Sequence, residues 1–144
     1  MKADAKTEAA VMSTINEFLK AYAKKDLNGV LQQLVPDPDA IFISTGVDEK
    51  RIGLAEIKTQ LKRDFAQSEE LSMEWDWHSV SAAGPVAWMA GDLIMHAKVD
   101  GKKLALKMRW TGVLEKRGGK WLLVQSHNSL PAAAQAAGQS FPTS

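Results

Sequence analysis

The strongest constraint on the fold is the stretch from Leu104 to Ser129, LALKMRWTGVLEKRGGKWLLVQSHNS. It reads as two long strands joined at Gly118-Gly119, because consecutive glycines supply the positive φ angles that a short primed hairpin turn demands. With those glycines at the turn, Arg117 faces Lys120, and the pairing runs back through Val113 opposite Val124, Thr111 opposite Ser126 and Arg109 opposite Asn128. Side chains alternate faces along a strand. One face therefore carries Arg109, Thr111, Val113, Leu122, Val124, Ser126 and Asn128, and the other carries Met108, Trp110, Leu114, Trp121, Leu123, Gln125 and His127. Both faces are too apolar to meet water. Such a sheet has to be covered twice, by helices on one side and, as the expectation here, by a second subunit on the other.

The remaining chain supplies the helices and the rest of the sheet. Ala5 to about Lys25 places Val11, Ile15, Phe18, Leu19 and Tyr22 at helical spacing. Asp26 caps a second, short helix with Val30, Leu31 and Leu34 inward, and Pro36-Asp37-Pro38 ends it. Ala40 to Thr45 is expected as a short strand, Gly46 to Gly53 as a turn region, and Leu54 to Gln67 as a third helix with Ile57, Leu61 and Phe65 inward. Strands are then expected at Leu71–Ala83, Val86–Val99, Leu104–Glu115 and Trp121–Leu130. Asp100-Gly101 joins the middle pair, and Gly84-Pro85 is read as the turn of the first pair. The order predicts an α+β fold, one domain over residues 1–131, with a small, polar tail over 132–144 that is expected to be mobile.

The string RWTGVLEKRGGKWLLVQSHNSLP resembles the C-terminal signature of SnoaL-like proteins of the nuclear-transport-factor-2-like superfamily: R-x-T-x-V-L, a basic turn, G-K-W, then H-x-S-x-P. The matching positions are Arg109, Thr111, Val113, Leu114, Gly119, Lys120, Trp121, His127, Ser129 and Pro131. The upstream stretches AIFISTGVDEKRIGLAEIKTQLKRDF and PVAWMAGD are similar to the family's second strand, third helix and following strand, so the likeness spans about Ala5 to Pro131. Relatives often place an aromatic between the His and the Ser, where this chain has Asn128. The resemblance implies a cone-shaped, curved antiparallel (cystatin-like) sheet with three helices on its concave face. It is a marker of fold and says little about chemistry.

Extending the pairing places Asp92 opposite Arg109, Ala90 opposite Thr111 and Trp88 opposite Val113, with Trp77 facing Asp92 and Trp75 facing Ile94. One face then gathers Trp75, Trp77, Trp88, Asp92, Arg109, Thr111, Ser126 and Asn128, and the resemblance implies that this face looks into the cone. The expected site is an aromatic-lined pocket with a few aimed polar groups, the usual recipe for a small ligand. Arg109 can hold Asp92 as a carboxylate in a buried strut, or it can grip a ligand carboxylate bidentately. Thr111 resembles the catalytic-base position of the ketosteroid isomerase relatives. A threonine abstracts no proton near neutral pH, so that mechanism does not transfer simply. Acid–base candidates are Asp92, Tyr22 and His127, the last also readable as a structural or interface histidine.

Several classes are disfavoured. The formal net charge of +1 leaves no nucleic-acid or membrane footprint. The chain has no cysteine, no H-x-H or H-E-x-x-H spacing and no phosphate-cradling glycine loop, so no metal and no cofactor are expected. The first ten residues have no apolar leader core, which leads to an expected cytoplasmic location, or a periplasmic one if a leader was removed. Three functions stay open: a module binding a small, mostly apolar molecule, possibly with a carboxylate; an isomerase- or dehydratase-type enzyme in the same pocket; or an association module. A homodimer through the convex sheet face accompanies the first.

Overall fold

The computed structural model describes residues 1–143. Asp4 caps helix α1 (Ala5–Ala23) by accepting the Thr7 N–H, and Val11, Ile15 and Tyr22 form its buried stripe. Asp26 caps α2 (Leu27–Leu31) through the Gly29 N–H. Strands β1 (Ile41–Ile43) and β2 (Lys50–Ile52) form a small hairpin ahead of α3 (Leu54–Ala66). Four long strands follow: β3 (Glu70–Ala83), β4 (Val86–Val99), β5 (Lys102–Arg117) and β6 (Lys120–Ser129). Gly118 and Gly119 take φ of 56° and 80°, the left-handed values the expected turn needs. After Ser129 the chain folds into successive turns, with Thr143 N–H donating to the Ala134 carbonyl.

The sheet has six strands in the order β2-β1-β6-β5-β4-β3. The antiparallel sheet expected from sequence is present in every strand pair but one, since the short β1 runs parallel to β6. The chain leaving α2 already lies along β6: Val35 N–H donates to the Leu123 carbonyl and Leu123 N–H to the Gln33 carbonyl. Continuing in that direction brings Ile41, Phe42 and Ile43 beside Gln125, Ser126 and His127. Strand β2 lies within the stretch read as turn alone. Three residues with two charges, Lys50-Arg51-Ile52, offer no alternation to detect.

Two bulges overturn the face assignment. Asp92 pairs with Arg109, Ala90 with Thr111 and Trp88 with Val113, as the turns dictated. Between β5 and β6, however, the register slips at Val124, so Arg109 faces Ser129 and Thr111 faces His127. A second slip at Asp76 keeps Trp77 opposite Asp92 but moves Trp75 from Ile94 to Leu93. One extra residue on one strand sends every later side chain to the other face. The helices cover the face of Met89, Leu93, Met108, Trp110, Leu114, Trp121 and Leu123, all buried. That face had been expected to meet a second subunit. Val11 and Ile15 of α1 pack against it, while α2 and α3 close the other end of the core with Val30, Ile57 and Leu61.

Candidate functional site

Two tryptophans form the floor beneath the helices. Gly112 has no side chain because the Trp110 ring occupies its place: a Cβ there would sit 2.2 Å from Trp110 Cη2. Gly91 makes the same room for Trp75, at 2.6 Å from Cζ3. The two indoles meet edge to face with centroids 5.8 Å apart. Trp75 Nε1 reaches Asn16 on α1, and buried Trp110 donates its Nε1–H to Ser126 Oγ at 2.8 Å. The bulge at Val124 makes the second bond possible, since it turns Ser126 toward the helices.

Beside Trp110 lies a cavity of about 80 Å3. This is several times the ~10–15 Å3 that one buried water needs. Its apolar wall comes from Phe18 and Leu19 of α1, Phe42 and Ile43 of β1, Ile57 and Leu61 of α3, and Met73, Leu93 and Met95 of β3 and β4. Its polar lining falls into two groups. Ser44, Ser126 and Asn128 line the sheet side, while Tyr22, Glu49, Arg51, Gln60 and Asp64 line the helix side.

The helix-side group is one connected network. Tyr22 donates its O–H to Asp64 Oδ2 at 2.8 Å, and Gln60 Nε2 donates to Asp64 Oδ1 at 2.7 Å and to Glu49 Oε1 at 3.1 Å. Arg51 Nε donates to Gln60 Oε1, and Arg63 braces the β1–β2 loop by pairing with Asp48 and Glu49. Burial is the main reason the Asp64 carboxyl lies above the usual range. The bonds from Tyr22 and Gln60 pull it back down, and the Glu49 charge adds to the rise. Burial and then the Asp64 charge push the Tyr22 phenol well above its ordinary value, so it remains a proton donor at neutral pH. On the sheet side, Asn128 Nδ2 approaches Ser44 Oγ at 3.5 Å, and Asn128 Oδ1 is buried with no partner among the described residues. The site thus offers a half-buried carboxyl group that accepts the Tyr22 hydroxyl and an unmet acceptor around an apolar space.

The structure separates the residues expected to share the pocket. Ser126, Asn128 and the candidate acid–base residue Tyr22 line the cavity. Trp75 packs on the helix face against Trp110, beyond the cavity lining. Trp77, Trp88, Asp92, Arg109 and Thr111 are exposed on the opposite face, so the alternation that grouped them with Ser126 is corrected by the bulges; His127, expected on the face of Trp110, is exposed beside Thr111 instead. Asp92 and Arg109 are cross-strand neighbours there, in open solvent rather than in a buried strut. Asp64, Gln60, Glu49, Arg51 and Phe42 were not singled out. A signal for two of them existed: Gln60 and Asp64 stand one helical turn apart beside the inward Ile57, Leu61 and Phe65.

Among the described residues, no helix is long and apolar enough to cross a membrane, and no cluster of three or more His, Cys, Asp or Glu could hold a metal. No protein of curated function matches the chain. Solved structures match over nearly its whole length. A nuclear-transport-factor-2-like superfamily protein from Salmonella enterica is 20% identical with a TM-score of 0.80, covering 94% of this chain and 96% of that one. A ketosteroid isomerase-like protein from Erwinia carotovora is 14% identical with a TM-score of 0.74, covering 90% and 99%. A protein from Streptomyces avermitilis, provisionally named a dehydratase of the same superfamily, is 16% identical with a TM-score of 0.81, covering 90% and 100%. At such identities the likeness establishes the fold. The model of the SnoaL-like domain matches residues 11–133, most of the sequence, and the chain belongs to that family.

Proposed function

We propose that this protein binds a small, mostly apolar molecule in the cavity between α1, α3 and the sheet. The observation that carries this reading is the convergence of polar groups on an apolar, aromatic-walled space, with Asn128 Oδ1 buried and unpartnered. A packed core seldom tolerates such an atom, whereas a ligand or a bound water would satisfy it. Acid–base chemistry at this place would fall to Asp64 and Tyr22, which line the cavity, rather than to Asp92 or His127 on the far face. The isomerase-like and dehydratase-named neighbours make such chemistry a natural alternative to binding alone. Mass spectrometry of the protein purified under native conditions tests the binding reading. A co-purified small molecule that is lost in a cavity-filling Leu61→Trp variant is expected; equal retention by both proteins refutes it.

A second reading concerns the outer sheet face, where Trp77 is 54% and Trp88 41% exposed. Two exposed indoles on one bare sheet face favour a partner surface, and a second copy related by a two-fold axis is the simplest occupant. Light scattering at micromolar concentration tests this: a dimer is expected, and a monomer refutes it.

A further inference from the structure

Given the ligand site above, on which this inference rests, we infer that the ligand carries a neutral head pairing an acceptor oxygen with an N–H donor, a carboxamide in its simplest form, seated between Arg51 and Asp64. Three charged side chains line the cavity: Glu49, Arg51 and Asp64. Glu49 is paired with Arg63. Among the described residues, Arg51 and Asp64 form no ion pair. Arg51 donates only its Nε–H, to Gln60 Oε1 at 3.1 Å, so the hydrogens of its Nη1 and Nη2 are unbonded. Asp64 accepts from Tyr22 and from Gln60, where a carboxylate can accept about four bonds. Both charged groups therefore keep open positions.

Gln60 shows what fits between them. Its Oε1 takes the Arg51 hydrogen and its Nε2 gives one to Asp64 Oδ1 at 2.7 Å, so a single carboxamide spans from guanidinium to carboxyl with ordinary hydrogen bonds at both ends. A ligand carboxamide in the same orientation, its oxygen toward Arg51 Nη and its N–H toward Asp64, uses the positions that Gln60 leaves open. Half-buried charges without counter-charges are costly unless hydrogen-bonded. Such a head bonds both and adds no net charge. A carboxylate or a ketone serves the Arg51 end alone, and an ammonium serves the Asp64 end alone. The hydroxyl hydrogens of Ser44 and Ser126, across the cavity, rotate to suit and impose no such polarity. The apolar body of the ligand then lies against Phe18, Phe42 and Leu61.

The test is a titration of the whole protein, followed by heteronuclear NMR, with five compounds of similar shape: toluene, acetophenone, benzylamine, benzoate and benzamide. Benzamide is expected to bind about tenfold more tightly than each of the others, the value of one good hydrogen bond, because each of them leaves at least one end of the gap unmet. In Arg51→Met, benzamide should weaken about tenfold, to the level of benzylamine, while toluene affinity stays unchanged and shows the cavity intact. The ranking in the unaltered protein decides the matter even where the variant is unstable. Any of the other four binding as tightly as benzamide overturns the inference and leaves the ligand site standing. Benzamide affinity that survives in a folded Arg51→Met protein does the same. If none of the five shifts any cavity resonance, the ligand-site reading fails as well.

Discussion

Removing the Tyr22 hydroxyl gives the sharpest test of the helix-side network, because its cost must depend on pH. In Tyr22→Phe the ring keeps its stack on Phe18 and its edge contact with Phe65, at centroid distances of 6.4 Å and 5.4 Å, so packing is preserved. Only the donor to Asp64 Oδ2 is lost. A hydrogen bond to a charged group is worth about 1.5–3 kcal/mol, and water that reaches the half-buried Asp64 keeps this one near the lower end. For a chain of 144 residues, about 1.5 kcal/mol corresponds to a Tm drop of roughly 3–6 °C. The Asp64 carboxyl titrates above its unfolded value, so the folded state carries a cost for the carboxylate. That cost is absent below the unfolded pKa and fully developed above the folded one. Loss of the phenol donor raises the folded pKa further. The deficit of Tyr22→Phe is therefore largest near pH 7 and shrinks as Asp64 protonates, toward the ~0.5–1.5 kcal/mol of a neutral hydrogen bond. Urea denaturation of both proteins near pH 7 and near pH 4 measures the difference. A deficit that is constant or grows toward acid would refute the network as drawn.

Other substitutions probe the remaining parts of the site. Gly112→Ala places a methyl group 2.2 Å from the Trp110 ring, so overpacking should cost about 1–3 kcal/mol and shift the tryptophan emission; unchanged fluorescence and stability would contradict the close packing. Ser126→Ala leaves the buried Trp110 Nε1–H without its acceptor, and a loss of about 1–3 kcal/mol in chemical denaturation is expected. Thr14→Val removes the bond from the buried Thr14 hydroxyl to the Trp121 carbonyl, with an expected loss of about 1 kcal/mol by the same assay. Trp77→Ser combined with Trp88→Ser should shift the hydrodynamic size from dimer to monomer without lowering monomer stability, which light scattering and denaturation read separately.

Much of the architecture was legible where a local rule acts alone. The Asp26 cap, the Gly118-Gly119 turn and the Asp92–Arg109 pairing each follow from a few neighbouring residues. The cavity was less legible, because its composition depends on two bulges, and a bulge adds one residue with no compositional mark of its own. The insertion at Val124 is why Ser126 and Asn128 reach the cavity while Arg109 and Thr111 do not. The apolar content could not settle which face lay inside, since Trp77 and Trp88 on one side rival Trp75 and Trp110 on the other.

One feature of the sequence could have resolved that ambiguity. Gly91 and Gly112 stand inside long strands, where glycine weakens the strand and marks a place that something approaches closely. The Asp100-Gly101 turn alone places Gly91 opposite Trp110, and Gly112 shares Trp110's face by alternation. Both glycines therefore point to the face of Trp110 as the crowded one, and each lies under an indole. A face that gives up two side chains to seat two tryptophans is one the helices cover. In a sheet apolar on both sides, the missing side chains were a better guide to the interior than the large ones.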